Sequence, residues 1–232
     1  MKLKTCALTV LYNTPLEEVT RLQKQWSDLG VELFTIDNTG SGAGFAVGIN
    51  ALLQDALSKY DVLFISNPDI DISSLHKKTF LDAANHFDIW GYTMIQEETV
   101  YYGGEIDKLR MSGGLTIEKP SKRFMNCDFV SGSLMAVGKK VFEKCGMLDT
   151  SYGMYYEDVE FCLRARKQVF TVGIDCENSY LHFEDSKTNS QKNKWLAKNR
   201  MKFLWQHGNT AQKLYEIIRL PKTLLEDGKH LI

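Results

Sequence analysis

Three short stretches of the sequence carry acidic or imidazole side chains at places where they could act on a ligand. Asp69 follows the apolar run "DVLFIS", so its carboxylate is expected just past the end of a buried strand. Glu157 and Asp158 open the segment "EDVEFCLRAR", in which apolar residues recur at helical spacing. His182 follows the short apolar stretch in "NSYLH". Carboxylates bind divalent cations, and carboxylates and imidazoles move protons.

Each stretch also has a purely structural interpretation. The residues of "NPD" are common turn formers, so Asp69 alone is consistent with a simple turn. Acids such as Glu157 and Asp158 in the first turn of a helix complement the helix dipole. A single histidine is more often structural or solvated than a ligand. Taken one at a time, none of the three stretches decides between these alternatives.

Four glycines fall within nine positions in "TGSGAGFAVGIN", directly after Asp37 and Asn38. The dinucleotide fingerprint requires Gly or Ala at its sixth position, where the two possible frames place Phe45 and Val47. A P-loop requires a lysine, and none occurs in this stretch. We therefore predict a flexible turn between a strand and a helix, and the motif alone leaves its ligand open.

Strand-like and helical patterns alternate in the N-terminal part of the chain. The runs "TCALTVLYN", "VELFTID" and "DVLFISN" predict strands, with two amphipathic helices between them. For the first helix, Thr14 is the predicted N-cap, Pro15 the first residue and Gly30 the terminator. Such β-α-β-α-β alternation predicts a parallel sheet with helices on both faces and with ligands at the carboxyl ends of the strands.

The rest of the chain has a different pattern. "FDIWGYTMI", "TVYYGGEI" and "CDFVSGSLMAV" predict strands joined by short turns, so the sheet is expected to be mixed. The stretch from Lys187 to Ile232 is predicted to be helical; it has ten Lys and Arg against three acids, a net charge of +7, which leaves −8 for the remainder. We predict two parts, residues 1–186 and a basic helical extension, 187–232.

Composition excludes several protein classes. With 232 residues, 44% hydrophobic, 25% charged and four prolines, the chain is expected to be an ordinary globular protein rather than a disordered one. Its five cysteines are odd in number and contain no CxxC pair, which favours reduced thiols and a cytoplasmic location. The N-terminal "MKLKTCALTVLYNTP" is expected to be a first strand rather than a signal peptide.

The order of these motifs resembles glycosyltransferase family 2, which has a GT-A fold, and in particular its bacterial rhamnosyltransferase-like members. "TVLYN" resembles the opening strand of the family, "IDN" its second-strand motif, "GFAVGIN" the stretch after it, and "NPDI" a variant of its metal-binding DxD. The most specific part is "CDFVSGSLMAVGKKVFEKCGMLDTSYGMYYEDVEFCLRAR", which resembles the acceptor and base block. The fold class that this resemblance implies is α/β: a Rossmann-like nucleotide-binding half, a mixed central sheet with helices on both faces, and a basic helical tail.

The resemblance implies an inverting, metal-dependent transfer of a sugar from a nucleotide diphosphate sugar to a hydroxyl of a glycan or lipid-linked saccharide, in the synthesis of cell-surface polysaccharide. Asp158 would be the general base, and Glu157 would orient it or bind acceptor. Mg²⁺ or Mn²⁺ would be held by Asp69 and His182, assisted by Asn67, which stands where the family has an acid. Asp71, which forms a literal D-x-D with Asp69, is the alternative ligand.

The remaining roles also come from the resemblance. Ser131 and Gly132 would line the sugar and acceptor pocket. The donor nucleotide would be bound by residues of the first two strand ends and the glycine stretch: Tyr12, Asn13, Asp37, Asn38, Gly44 and Asn50. Arg164 and Arg166 are weaker phosphate candidates. A helix N-terminus favours the ionised form of Asp158, which we therefore expect to be charged at neutral pH.

Two other functions and one partner remain open at this point. A nucleotidyltransferase shares the nucleotide-binding half but needs a basic phosphate loop after the first strand, where "YNTPLEEV" offers acids. An inactive sugar-nucleotide-binding module is the other alternative. The basic tail interleaves cations with Trp195, Phe203 and Trp205, so it either packs on the domain or lies peripherally on the inner face of the plasma membrane. No nucleic-acid partner is expected.

Overall fold

The computed structural model describes residues 3–183 and 190–231, which form one nine-stranded mixed sheet, a small two-stranded sheet and helices. The helices are α1 Leu16–Leu29, α2 Phe45–Ala56, α3 Lys139–Cys145, α4 Glu157–Lys167, α5 Ser190–His207 and α6 Thr210–Leu231. The strands are β1 Thr5–Leu11, β2 Glu32–Asp37, β3 Val62–Ser66, β4 Ile70–Asp71, β5 Ile89–Gln96, β6 Thr99–Tyr101, β7 Gly104–Ile106, β8 Gly113–Leu115, β9 Phe124–Asn126, β10 Leu134–Gly138 and β11 Val172–His182. The predicted boundary between residues 186 and 187 lies outside the described residues.

The N-terminal half is the predicted parallel unit. β1 lies between β2 and β3 and pairs with both in parallel, so the three strands end at one edge of the sheet. β3 is buried along its whole length, as expected for a strand covered on both faces. α1 ends at Gly30, whose left-handed conformation closes the helix as predicted. The predicted cap is wrong: Pro15 occupies the N-cap position, and the Thr14 hydroxyl accepts a hydrogen bond from the Tyr12 amide instead.

The C-terminal half makes the sheet mixed, as predicted. β10 runs antiparallel to both β3 and β5, while β11 pairs in parallel with β5. β11 is longer than its sequence pattern indicates, because it continues past a register shift between Asp175 and Ser179 and reaches His182. There it pairs with the two-residue strand β4, immediately after Asp69. The pairing of β4 with β11 is what brings the end of β3 to His182.

The alternation of side chains along the central strands divides the core into two clusters, one on each face of the sheet. Leu8 of β1 and Ile65 of β3 belong to one cluster, whereas Ala7 and Phe64 belong to the other. α2, α3, α4 and α5 cover the first face; α1 and the segment 72–87 cover the second. Helices therefore lie on both faces, as predicted.

The two C-terminal helices pack on this core. Phe203 and Leu204 of α5 are fully buried in the first cluster. Arg200 of α5 forms an ion pair of 2.8 Å with Glu216 of α6, and both side chains are buried. Among the described helices, none is long and apolar enough to cross a membrane.

Candidate active site

Residues that are distant in the sequence line a single cleft of about 460 Å³ at the edge where β3 ends. The cleft brings together the strand-end carboxylate Asp69, the helix-start carboxylate Asp158 and His182 at the end of β11. The spatial convergence that the sequence predicted for these three side chains is therefore present in the structure. The other predicted residues that line the cleft are Asn67, Ser131, Gly132 and Glu157.

Asp69 and the buried His182 form an incompletely satisfied pair. Nε2 of His182 lies 3.6 Å from Oδ1 of Asp69, and the imidazole is only 6% exposed. The main-chain amide of Phe183 donates to the Asp69 carbonyl at 2.9 Å, which fixes the two residues side by side. Burial raises the pKa of the Asp69 carboxyl, but the adjacent His182 and Asn67 outweigh burial and hold that pKa below its usual value. Asp69 is therefore ionised at neutral pH.

The structure places the two alternatives for the acidic motif, Asn67 and Asp71, in different surroundings. The carboxylate of Asp71 accepts hydrogen bonds from Gln25 of α1 and from the amide of Ser73, and it lies 3.8 Å from Arg21. It is therefore engaged with α1 and does not line the cleft. Asn67, in contrast, lines the cleft together with Asp69, which favours Asn67 over Asp71 as the second ligand.

The polar atoms at this end of the cleft fit a divalent cation. Oδ1 of Asp69 and both ring nitrogens of His182 are buried and make no hydrogen bond. Buried polar atoms are almost always satisfied, so this unsatisfied set indicates a missing partner, and oxygen and imidazole donors suit Mg²⁺ or Mn²⁺. Within residues 3–183 and 190–231, no group of three or more His, Cys, Asp or Glu side chains is arranged to hold a metal. A cation here would thus take further ligands from its substrate or from water.

The acid pair lies at the start of α4, after two residues in the left-handed conformation. Tyr155 and Tyr156 have φ angles of 65° and 74°, which are strained for residues with a side chain. The Asp158 carboxylate joins α4 to the β9–β10 segment: its Oδ2 accepts from the Gly132 amide at 2.8 Å, and its Oδ1 accepts from the amide of Val159, the next residue of α4, at 2.7 Å. Glu157, in contrast, has a buried Oε2 without a hydrogen-bond partner.

Burial and mutual proximity shift the titration of the two carboxyls of the acid pair. Burial raises the pKa of Asp158, and the amides of Gly132 and Val159 offset this rise only in part. Burial and then the neighbouring Asp158 raise the pKa of Glu157 to about 8. Because Asp158 has two main-chain donors and Glu157 has an unsatisfied oxygen, the single negative charge of the pair at neutral pH belongs on Asp158.

Asn199 of α5 is a residue of the site that the sequence reasoning missed. Its buried amide nitrogen donates to the carbonyls of Tyr152, Met154 and Tyr155, at 2.9, 2.7 and 2.9 Å. These carbonyls belong to the strained turn that precedes the acid pair. The available signal was a polar residue on the face of α5 that otherwise carries Leu196 and Phe203, at helical spacing.

α5 also forms one wall of the cleft. Lys192 and Leu196 line it, and the ammonium group of Lys192 lies 5.6 Å from the centre of the Tyr155 ring. On another side, the hydroxyls of Ser131, Ser133 and Tyr180 form a chain with oxygen separations of 2.9 and 2.7 Å. The lining of the cleft thus combines a cation and hydroxyls with the carboxylates.

The residues predicted to bind a nucleotide are only partly available for one. Tyr12, Asn13 and Asp37 are exposed at the ends of β1 and β2, beside the cleft-forming end of β3. Asn38 is buried, and its amide donates to the carbonyls of Ala43 and Gly44, so it shapes the turn. The roles of these residues toward a ligand remain predictions.

Asn50, Arg164 and Arg166, which were predicted to bind the donor, are instead bonded to other parts of the protein. Both polar atoms of the Asn50 amide are bonded to the main chain of Leu148, which makes Asn50 a link between α2 and the loop after α3. Arg164 is bonded to Glu160 and to the carbonyls that follow α3, and Arg166 pairs with Asp128 at 2.6 Å. None of the three lines the cleft.

Gly44 explains the glycine-rich stretch in part. A Cβ on Gly44 would lie 2.5 Å from the Gly153 carbonyl oxygen, which accepts a hydrogen bond from the Phe45 amide at 3.1 Å. A Cβ on Gly153 would in turn lie 3.2 Å from the Trp195 ring of α5. The glycines thus allow three segments to pack closely, and Phe45 reaches the cleft. Packing, rather than a phosphate loop, requires glycine at position 44.

Comparisons with known proteins support the fold. No family model matches the chain. Agl10 of Haloferax volcanii, described as a low-salt glycan biosynthesis hexosyltransferase, is 30% identical over 143 residues, covering 59% of this chain and 46% of Agl10. The chain therefore spans about half the length of this curated relative.

Two solved structures are similar. The crystal structure of GalNAc-T7 with UDP, GalNAc and Mn²⁺ has a TM-score of 0.63 at 12% identity, covering 97% of this chain and 54% of that one. The crystal structure of A197 from STIV has a TM-score of 0.55 at 14% identity, covering 78% of this chain and 86% of that one. The predicted GT-A fold, a mixed α/β architecture, is confirmed.

Proposed function

We propose that the protein is a glycosyltransferase that moves a sugar from a nucleotide diphosphate sugar to a hydroxyl of a glycan or lipid-linked saccharide. The observation that carries this proposal is the convergence of Asp69, His182 and Asp158 in one cleft of a GT-A fold. The similarity to the hexosyltransferase Agl10 supports the same activity. Membership of family 2, with rhamnosyltransferase-like specificity, and a role in cell-surface polysaccharide belong to the proposal.

The acceptor hydroxyl needs a base, and Asp158 fits this role. Its carboxylate lies in the cleft, is held by two main-chain amides and has a pKa raised by burial, which makes it a better proton acceptor than an exposed aspartate. Glu157 retains a proton near neutral pH and so leaves the charge on Asp158. General-base assistance of this kind contributes about 10² to 10⁴-fold. A single base implies one displacement and inversion at the anomeric carbon.

The other end of the cleft would hold the leaving group. Asp69 and His182, with Asn67 beside them, would hold Mg²⁺ or Mn²⁺, which when bound supplies positive charge to a departing diphosphate. Asp69 keeps its charge because its pKa is low, and the pairing of β4 with β11 fixes its orientation toward His182. The exposed ends of β1 and β2, with Tyr12 and Asp37, offer the adjoining surface for the nucleotide.

The test is a donor panel. The protein is incubated with Mn²⁺ and UDP-, GDP- and dTDP-sugars, and donor hydrolysis and protection against thermal unfolding are recorded for each. We expect one donor class to protect and to be hydrolysed slowly, with release of nucleoside diphosphate. Release of pyrophosphate from a nucleoside triphosphate and a sugar phosphate would instead support a nucleotidyltransferase.

Substitution of the base separates chemistry from binding. Asp158→Asn should lower turnover by about 100-fold or more while the donor Kd changes little, because the amide keeps the shape of the carboxylate but cannot take a proton. Asp71→Asn, which changes a nearby acid that faces α1, is the control and should leave both quantities unchanged. Equal loss of turnover and affinity in Asp158→Asn would contradict the assigned role.

A further inference from the structure

A broad groove adjoins the cleft along strand β8. Residues from the segments 105–118, 126–128 and 166–172 line this groove, whose volume is about 1310 Å³ against about 460 Å³ for the cleft. Pockets that hold one small ligand have volumes of about 300 to 1000 Å³. The groove is therefore large enough for a ligand that extends beyond the cleft.

The groove meets the cleft next to the acid pair. All residues of β8 line both the groove and the cleft. The Gly113 amide donates to the Tyr156 hydroxyl at 3.2 Å, and a Cβ on Gly113 would lie 3.1 Å from a methyl carbon of Val159. Tyr156 and Val159 flank the acid pair in the sequence, whereas Asp69 and His182 line the cleft alone. The groove thus leads to the proposed base rather than to the proposed metal site.

The charges around the groove nearly cancel. Among the described residues that line it, four carboxylates stand against three cations. Two further charges beyond the lining residues also have opposite signs: Glu216 lies 3.9 Å from Arg110, and the positive charge of Arg219 acts on Asp107. A polyanion such as a nucleic acid is bound through an excess of cations. This lining instead fits a neutral ligand that forms hydrogen bonds, such as a chain of sugars.

Val169, which borders the groove, has a backbone conformation that favours glycine. Its φ angle of 68° is rare for a β-branched residue. The turn ends α4, with the Val169 amide donating to the Arg166 carbonyl at 2.9 Å and the Phe170 amide to the Ala165 carbonyl at 3.1 Å, and glycine is the usual residue at this position. The Val169 side chain is 89% exposed, so packing does not account for it. A strained, exposed apolar side chain beside a groove points to a contact with a ligand.

Gly114 of β8 keeps the passage between the groove and the cleft open. It is exposed and lines both. An added Cβ would meet no atom within 4 Å, so a side chain at this position would project into open space where the groove and the cleft join. A substitution here can block the passage without a clash inside the protein.

We propose that the groove binds an extended, neutral saccharide acceptor. Its terminal sugar would reach Asp158 in the cleft, and the preceding sugars would pass Gly114 and lie along the groove against Val169. This inference rests on the proposed function and specifies its acceptor: an oligosaccharide or polysaccharide chain, not a single sugar.

A glycan array tests the proposal. The labelled full chain is applied without donor, over a concentration series, to printed neutral and sulfated glycans of one to six sugar units. We expect the wild type to bind at least one neutral chain of four or more units about tenfold or more tightly than the single sugar of the same type. Gly114→Leu should bring the affinity for that chain to within about twofold of the single sugar.

Two further variants complete the array experiment. Val169→Gly should weaken binding of the longer chain about fivefold, because an apolar contact is lost. Its Tm should equal or exceed that of the wild type, because glycine adopts the left-handed conformation without strain. Leu16→Ala, which shortens an 80% exposed apolar side chain at the start of α1, is the control and should bind like the wild type.

The outcomes are distinct. Absence of binding to neutral chains, equal binding of short and long chains, or a length-dependent gain that Gly114→Leu retains would overturn the proposal. A gain confined to sulfated chains would also overturn it and assign the groove to a polyanion. If Gly114→Leu lowers the Tm, Val169→Gly decides, and unchanged affinity in that variant counts against the groove.

Failure of this inference and failure of the proposed function are recognised separately, because glycan binding is measured without donor and donor hydrolysis without acceptor. Length-dependent binding with no hydrolysis of any donor leaves a saccharide-binding groove and contradicts the transferase. Donor hydrolysis with no length dependence contradicts the groove and leaves the transferase in place.

Discussion

Asn199 should be essential to the turn that carries the acid pair. Replacing it by alanine removes both N–H donors that three carbonyls share, those of Tyr152, Met154 and Tyr155. Each lost hydrogen bond costs about 1 kcal/mol, so the loss of the three contacts is expected to cost about 3 kcal/mol. For a domain of this size, that corresponds to a fall in Tm of about 6–12 °C.

The assay combines thermal unfolding with donor turnover. Because Tyr155 and Tyr156 are strained without this support, Asn199→Ala should also lower turnover more than donor affinity. Asn85→Ala, which removes one exposed local hydrogen bond, is the matched control and should change the free energy of unfolding by less than about 0.5 kcal/mol.

Asn199→Asp separates hydrogen bonding from packing. Aspartate has the same shape, but an ionised carboxylate cannot donate and would face three carbonyl oxygens, so the loss should equal or exceed that of Asn199→Ala. Wild-type stability and turnover in Asn199→Asp, with a loss only in Asn199→Ala, would refute the hydrogen-bond account and leave packing as the role of this side chain.

Three further predictions concern the cleft and the glycine turn. In the folded protein the pKa of Glu157 is raised from 4.5 to about 8, so the folded state holds an extra proton between these two pH values. The free energy of unfolding of the wild type therefore falls as pH rises through this window. The stability of Glu157→Gln relative to wild type should increase by at least about 1 kcal/mol between pH 5 and pH 8, measured by urea titration. His182→Ala should weaken Mn²⁺ binding about tenfold or more in calorimetry, whereas Asp71→Asn should leave it unchanged. Gly44→Ala places a Cβ against the Gly153 carbonyl and should cost about 1–3 kcal/mol of stability, measured by denaturant unfolding.

The sequence predicted the parallel half of the fold because its signals are local. Apolar runs alternate with helical patterns, and the parallel pairing of β1, β2 and β3 follows from that alternation. Asp69 and Asp158 were candidates because one follows a strand and the other begins a helix, and the resemblance to glycosyltransferase family 2 then selected them. The prediction of Thr14 as N-cap was wrong because the Thr14 hydroxyl accepts a hydrogen bond from the Tyr12 amide instead. The capping pattern does not encode this contact.

Other features of the site depend on contacts between distant segments. The amide of Asn199 bonds to carbonyls 44 to 47 positions earlier in the chain, and Asn50 bonds to Leu148, 98 positions later. Hydrophobic periodicity carries no information on such pairs. The raised pKa of Asp158 could not be anticipated either, since it depends on burial in a cleft that is lined by distant segments.

The close approach of Gly44, Gly153 and Trp195 ties three parts of the chain into one unit. A change of donor preference by exchanging the glycine stretch for that of another protein would disturb the loop before α4 and the start of α5 at the same time. Such a graft should succeed when all three segments are transplanted as a set, and a library that randomises only residues 40–44 should yield mostly misfolded chains.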